Sequence, residues 1–140
     1  MRKLIYITSI VFAVLILSGC THNNGNIGPW WGQWKIEKIE QNGEVLDRYE
    51  GNYFFRFQSS SVAVVRSSVE TENISGSSNG HWLEENSTLR FEFLDDKGIY
   101  QNIFLDKSCR LDVIKRDGRE KILEFKKDDK TVYAYYLKAW

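Results

Sequence analysis

Proline occurs once in this 140-residue chain, and histidine and cysteine twice each. Each scarcity closes off a class of protein. With Pro29 as the single proline, the rest of the chain lacks the residue that removes a ladder hydrogen bond, so strands can run uninterrupted. Two cysteines cannot build the multi-bridge framework of small secreted scaffolds. With only His22 and His81, a nucleophile–base pair would have to join His81 to Cys109 or to a serine, and no local signature surrounds either. His81, Glu84 and Glu85 are close in sequence, but strand alternation puts neighbours on opposite faces, so no metal site is expected. Gly-x-Ser-x-Gly, His-Glu-x-x-His and a glycine-rich phosphate loop are all absent. The paired acids Asp95-Asp96 and Asp128-Asp129 stand beside lysines in turn-like sequence. The expectation is a protein that is not an enzyme and carries no cofactor. Excess charge is missing too: 19 basic and 19 acidic residues balance, which argues against nucleic acid as a partner.

What is present begins at the N-terminus. Arg2 and Lys3 precede an uncharged apolar run from Leu4 to Leu17, and small residues follow at Ser18 and Gly19. That is the layout of a secretory signal, and the run is short of the roughly 20 residues a spanning helix needs. Leu17-Ser18-Gly19-Cys20 resembles the lipobox of bacterial lipoprotein precursors. The resemblance implies cleavage after Gly19, a lipid on Cys20 and anchoring by two or three acyl chains. Residues 1–19 are then the signal, and residues 20–29 the lipidated cysteine and a small, polar tether. Thr21 is not the acidic residue that retains such proteins at the inner membrane, and no acidic run follows the cysteine. An outer-membrane location on the periplasmic face is the expectation. Cys109 is left without an intrachain partner and is expected to be buried.

Residues 30–140 read as one domain with no internal repeat. Of 20 aromatic residues only Tyr6 and Phe12 fall in the signal, and aromatics favour strands. Strands are expected at 32–39, 53–58, 62–66, 80–84, 88–94, 110–116, 121–126 and 131–138. Asn42-Gly43 is a hairpin signal, whereas Thr71 to Asn79 reads as a loop or frayed edge and Ile99 to Leu105 as a connection or short strand. No helical period persists beyond two turns. About eight strands joined by short turns predict an all-β, antiparallel up-and-down eight-stranded barrel, since closure removes the sheet edges; an open β-sandwich is the alternative.

Gly32-Gln33-Trp34, opening a series of strands, resembles the Gly-x-Trp signature of the lipocalin and calycin barrels. Together with the lipobox and Tyr53-Phe-Phe-Arg-Phe-Gln58, the chain from Trp30 to Trp140 is similar to small lipocalin-like lipoproteins of Bacteroidetes. The resemblance implies that Gly32 and Trp34 belong to a barrel-closing motif, with Lys138 as the basic residue packed against the tryptophan.

Alternation puts Tyr53, Phe55 and Phe57 on one face of their strand and Leu89, Phe91 and Phe93 on one face of another. These inward faces either fill the barrel, the heavier of the two readings, or line a cavity for a small hydrophobic ligand, with Arg56 or Tyr135 as orienting polar groups. A membrane-anchored, non-catalytic binding barrel is the first functional expectation. The second is a module of the cell envelope that binds or inhibits a protein, with a filled core and with Trp30, Trp31 and the Thr71 to Asn79 stretch as contacts.

Overall fold

The computed structural model describes residues 29–69 and 73–140. The signal, Cys20 and the tether up to Gly28 lie outside the described residues, as do Thr71 and Glu72.

Among the described residues, nine strands form one antiparallel sheet: β1 Gly32–Gln41, β2 Glu44–Val45, β3 Tyr53–Gln58, β4 Ser61–Ser67, β5 Ile74–Glu85, β6 Thr88–Phe93, β7 Ser108–Lys115, β8 Glu120–Lys126 and β9 Val132–Ala139. Every barrel strand pairs with its chain neighbour, and β1 pairs with β9 from Trp34↔Ala139 to Gln41↔Tyr133. That last pairing closes the sheet and decides for the barrel over the sandwich. The two-residue β2 folds back on the end of β1 and stands outside the closed ring of eight. Its turn is the expected one: Asn42 and Gly43 both take positive φ, 52° and 85°, which suits the right-handed twist of a two-residue hairpin.

Strand direction fixes two ends. Trp30, the start of β1 and the β3–β4, β5–β6 and β7–β8 turns meet at one end, called here the closed end. The connections 46–52, 94–107 and 127–131 meet at the other, the mouth.

Two readings of the sequence are corrected. Residues 74–79 are the first half of β5, paired with β4 through Ala63↔Asn79, Val64↔Ser78 and Val65↔Ser77. Their small side chains disguise a strand because they give clearance to what lies against them. Ser78 Oγ accepts from the Ile99 N–H at 2.8 Å, and Gly76 sits beside the Ile99 side chain. Gly80 lies so close to β6 that an added Cβ would fall 2.3 Å from the Glu92 carbonyl oxygen. The second concerns Ile99 to Leu105, expected as a connection or short strand: it belongs to the 94–107 connection and forms a 3-10 turn at Ile99–Ile103, not a strand. It drops Tyr100, Ile103 and Leu105 into the barrel, where all three are buried.

Candidate functional site

Phe55, Phe57, Leu89, Phe91, Phe93 and Tyr135 converge in a single buried cluster inside the barrel. Phe55 meets Phe91 edge-on at 5.6 Å and Tyr135 at 6.2 Å; Phe57 meets Trp82 at 5.0 Å. Phe93 stacks face to face on Tyr100 at 4.3 Å. Edge and offset contacts of this kind match the ring quadrupoles. The Tyr135 hydroxyl, buried among them, donates to the Ile103 carbonyl at 2.6 Å, and burial pushes its pKa well above the usual phenol value. The residues proposed from sequence as a ligand lining therefore meet one another and the 3-10 turn. Two of that set lie elsewhere. Tyr53 stands at the mouth, and Arg56 points out of the barrel, with its guanidinium 5.8 Å from the outward Phe54 ring. Arg56 alternates with the inward Phe55 and Phe57, so it cannot share their face.

The closed end is sealed by tryptophans and a lysine. Trp34 Nε1 donates to the Trp30 carbonyl at 3.0 Å, and Trp30 packs on Phe57 at 5.8 Å. Gly32 has φ 105°, a conformation an L side chain resists. Lys121 Nζ lies 4.9 Å from the Trp34 ring and 5.1 Å from the Trp30 ring, and donates to the Arg116 carbonyl at 3.4 Å. Burial, then the Arg116 charge, lowers its pKa. Lys138 does not take this position. Leu137 points into the barrel, so its neighbour Lys138 points to solvent, 4.0 Å from Glu37. Lys121 was detectable in the sequence as the residue in phase with the inward Leu123 and Phe125 of β8.

The mouth holds a different arrangement. Leu46, Arg48, Tyr49, Tyr53, Arg66 and Phe104 are among the residues lining an open pocket of about 390 Å³. Tyr49 fixes its floor: the hydroxyl donates to the Ile36 carbonyl at 2.5 Å and accepts from the Tyr53 N–H at 3.3 Å. Desolvation raises its pKa, so it stays a phenol. Asn102 Nδ2 donates to the Tyr53 hydroxyl at 3.0 Å, tying the 3-10 turn to β3. Phe104 caps that turn with φ 72°, a left-handed conformation that costs a non-glycine residue energy. It is held there by stacking on Tyr133 at 4.5 Å, while the Arg48 guanidinium lies 5.2 Å above the ring. The pocket thus offers aromatic and aliphatic side chains beside the Arg48 guanidinium, with Glu50 and Arg66 also on its wall and Arg66 donating to Ser75.

Two solved structures from Bacteroides are among those this chain is similar to. A lipocalin-like protein from Bacteroides uniformis ATCC 8492 superposes with a TM-score of 0.62 at 13% identity, over 81% of this chain and 100% of that one. The fold is lipocalin-like. An uncharacterized protein from Bacteroides eggerthii DSM 20697 gives a TM-score of 0.58 at 14% identity, over 78% of this chain and 98% of that one. No protein-family profile matches the chain, and no curated protein does.

In this lipocalin-like barrel the sequence candidates for chemistry are kept apart. His81 faces outward on β5, while Cys109 points inward on β7. Burial pushes the Cys109 thiol up to about 12, which leaves almost no thiolate at neutral pH. A wider groove of about 790 Å³ crosses the outer wall of β5 to β8, lined by His81, Arg90, Glu92, Arg110, Asp112 and Lys126 among others. Its charges alternate in sign, so no single ligand chemistry is selected. Of the contacts suggested for a protein partner, Trp30 is buried and Trp31 exposed. Sequence reasoning missed the mouth residues Arg48 and Phe104. Arg48 lies in the polar stretch between the strands expected at 32–39 and 53–58, and position in a connection over a rigid barrel is the available signal.

Proposed function

We propose that this lipocalin-like barrel is a membrane-anchored, non-catalytic binding protein that takes a small amphipathic ligand at its mouth. The observation that carries the reading is the pocket of Leu46, Tyr53 and Phe104 beside Arg48 and Arg66. Its size falls within the ordinary range of small-molecule sites, roughly 300–1,000 Å³. The ligand chemistry that fits is an apolar or aromatic body with an anionic group. The apolar body finds Leu46 and Tyr53, and a carboxylate or sulfonate finds the Arg48 guanidinium. Burial of the aromatic faces inside the barrel favours the mouth over the interior as the seat. Strain held at Phe104 next to the pocket supports the same place.

Non-catalysis rests on the separation of His81 from the buried Cys109 thiol. Anchoring rests on the lipobox at Cys20, and we place the protein in the cell envelope of a Bacteroidetes-like organism, at the periplasmic face of the outer membrane. A second reading, docking of an envelope protein, has its own support. Val45, Val69, Ile74 and Leu94, all at the mouth end, are exposed, and apolar rims of this kind suit protein contacts.

Titration with 8-anilinonaphthalene-1-sulfonate, an aromatic anion, tests the mouth site. Saturable fluorescence enhancement is expected, weakened roughly tenfold in Arg48→Ala if a charge-assisted contact of about 1.4 kcal/mol is lost. Equal affinity in the two proteins would overturn the mouth as the seat.

A further inference from the structure

The mouth pocket continues past its rim. Glu50, Asn52 and Tyr53 line it, and the same three residues line a second hollow of about 140 Å³ on the outer wall of the barrel. Phe54, Val69 and Trp140 form the apolar part of that hollow. Trp140 is 57% exposed and Val69 61%, and apolar groups gathered in one concave site, unlike those scattered singly, mark a contact surface. The Trp140 indole is held in place. Its main-chain N–H donates to the Gln33 carbonyl at 3.1 Å, and its ring packs on Phe54 at 5.0 Å with the planes 46° apart. Phe54 alternates with the inward Phe55 and so points outward, yet it is only 3% exposed, buried with Ala63 and Val65 in a small cluster outside the barrel. One side of the indole is therefore taken by the wall, and the rest is open.

The saddle between pocket and hollow is fixed as well. Asn52 Nδ2 donates to the Ser67 carbonyl at 3.0 Å, and the Ser67 N–H and hydroxyl donate to the Asn52 carbonyl at 2.8 and 3.2 Å. A surface preformed in this way loses little freedom when a ligand covers it. Lys35 and Glu50 on the wall of the hollow carry opposite charges, so what distinguishes this end is its apolar part. We propose that the ligand of the mouth site is elongated: its anionic end lies at Arg48, its body crosses the saddle at Asn52 and Tyr53, and an apolar ring at its far end packs against Trp140 and Val69. This rests on the mouth site of the proposed function and adds to it the ligand's length and a second apolar end.

The experiment compares two aromatic anions of equal charge on the acylated protein held in nanodiscs, with binding to protein-free nanodiscs subtracted. In 6-(p-toluidino)naphthalene-2-sulfonate the sulfonate and the tolyl ring stand at opposite ends; in 8-anilinonaphthalene-1-sulfonate the sulfonate and the aniline are adjacent. Trp140→Ala should weaken the extended probe roughly fivefold, the size of one ring–ring contact, and leave the compact probe unchanged. Val69→Asn should act in the same direction; it alters an exposed residue and so changes the hollow without touching the core. Trp140→Phe keeps a ring and should restore most of the affinity. Arg48→Ala should weaken both probes. Unchanged affinity for the extended probe in Trp140→Ala and Val69→Asn, or an equal loss for both probes, would overturn the elongated ligand while Arg48→Ala still reports the mouth site. No effect of Arg48→Ala on either probe would overturn the mouth site itself.

Discussion

Replacing Lys121 by alanine tests how the closed end is held together. The Lys121 side chain is 2% exposed and lies across the Trp30 and Trp34 rings. Truncation removes the γ, δ and ε methylenes, each contributing roughly 0.8 kcal/mol when buried. It also removes two cation–π contacts of about 0.5–2 kcal/mol each. Against this stands the cost of burying the ammonium, visible in its lowered pKa. A net destabilisation of about 2–4 kcal/mol follows for Lys121→Ala, whereas Lys138→Ala, at an exposed site, should stay within about 0.5 kcal/mol. Lys121→Met keeps the stem without the charge and should lie within about 1.5 kcal/mol of the parent. The pH dependence has a definite sign. The folded pKa is lowered, so the unfolded chain binds the proton more tightly, and this group's share of stability rises with pH between the folded pKa and 10.5. Lys121→Met lacks that rise. Urea unfolding followed by far-ultraviolet circular dichroism measures all three variants. A Lys138→Ala cost equal to or above that of Lys121→Ala would refute the assignment.

Other outcomes follow from the packing. Cys109 should resist iodoacetamide at pH 8 in the folded protein and react in urea; prompt labelling of the native state would contradict its burial. Its folded pKa is raised to about 12 from 9.0, so its stabilising share is intact below 9 and is lost as pH climbs towards 12, a loss that Cys109→Ala should lessen. Phe91→Ala, in the middle of the ring cluster, should cost about 3–5 kcal/mol in denaturant melts. A loss under about 1 kcal/mol would show that the interior is not close-packed.

Much of the fold was legible because its signals are local. Alternation in Tyr53–Gln58 and Thr88–Phe93 reports a two-faced wall, and Asn42-Gly43 reports a turn; both are properties of a few consecutive residues. The stretch 74–79 was not legible, since Ser77, Ser78 and Asn79 pair through their main chain and the Ser78 hydroxyl meets the Ile99 N–H, 21 residues away. Nor could Ile99–Leu105 be read as a plug: its apolar residues lack strand period because they point into the barrel from a 3-10 turn. The closing cation shows how a site depends on phase. Lys138, the basic residue the resemblance pointed to, has the outward phase, and Lys121 has the inward one. The mouth depends on Arg48 and Phe104, 56 residues apart, meeting over one ring, a juxtaposition no local pattern encodes.

Native mass spectrometry of the protein, released gently from the membranes of cells that make it, tests the central claim most directly. The account predicts a discrete added mass that survives purification, disappears on denaturation and is absent from Arg48→Ala. A bare polypeptide-plus-lipid mass in the parent protein, or an added mass that Arg48→Ala retains in full, would contradict it.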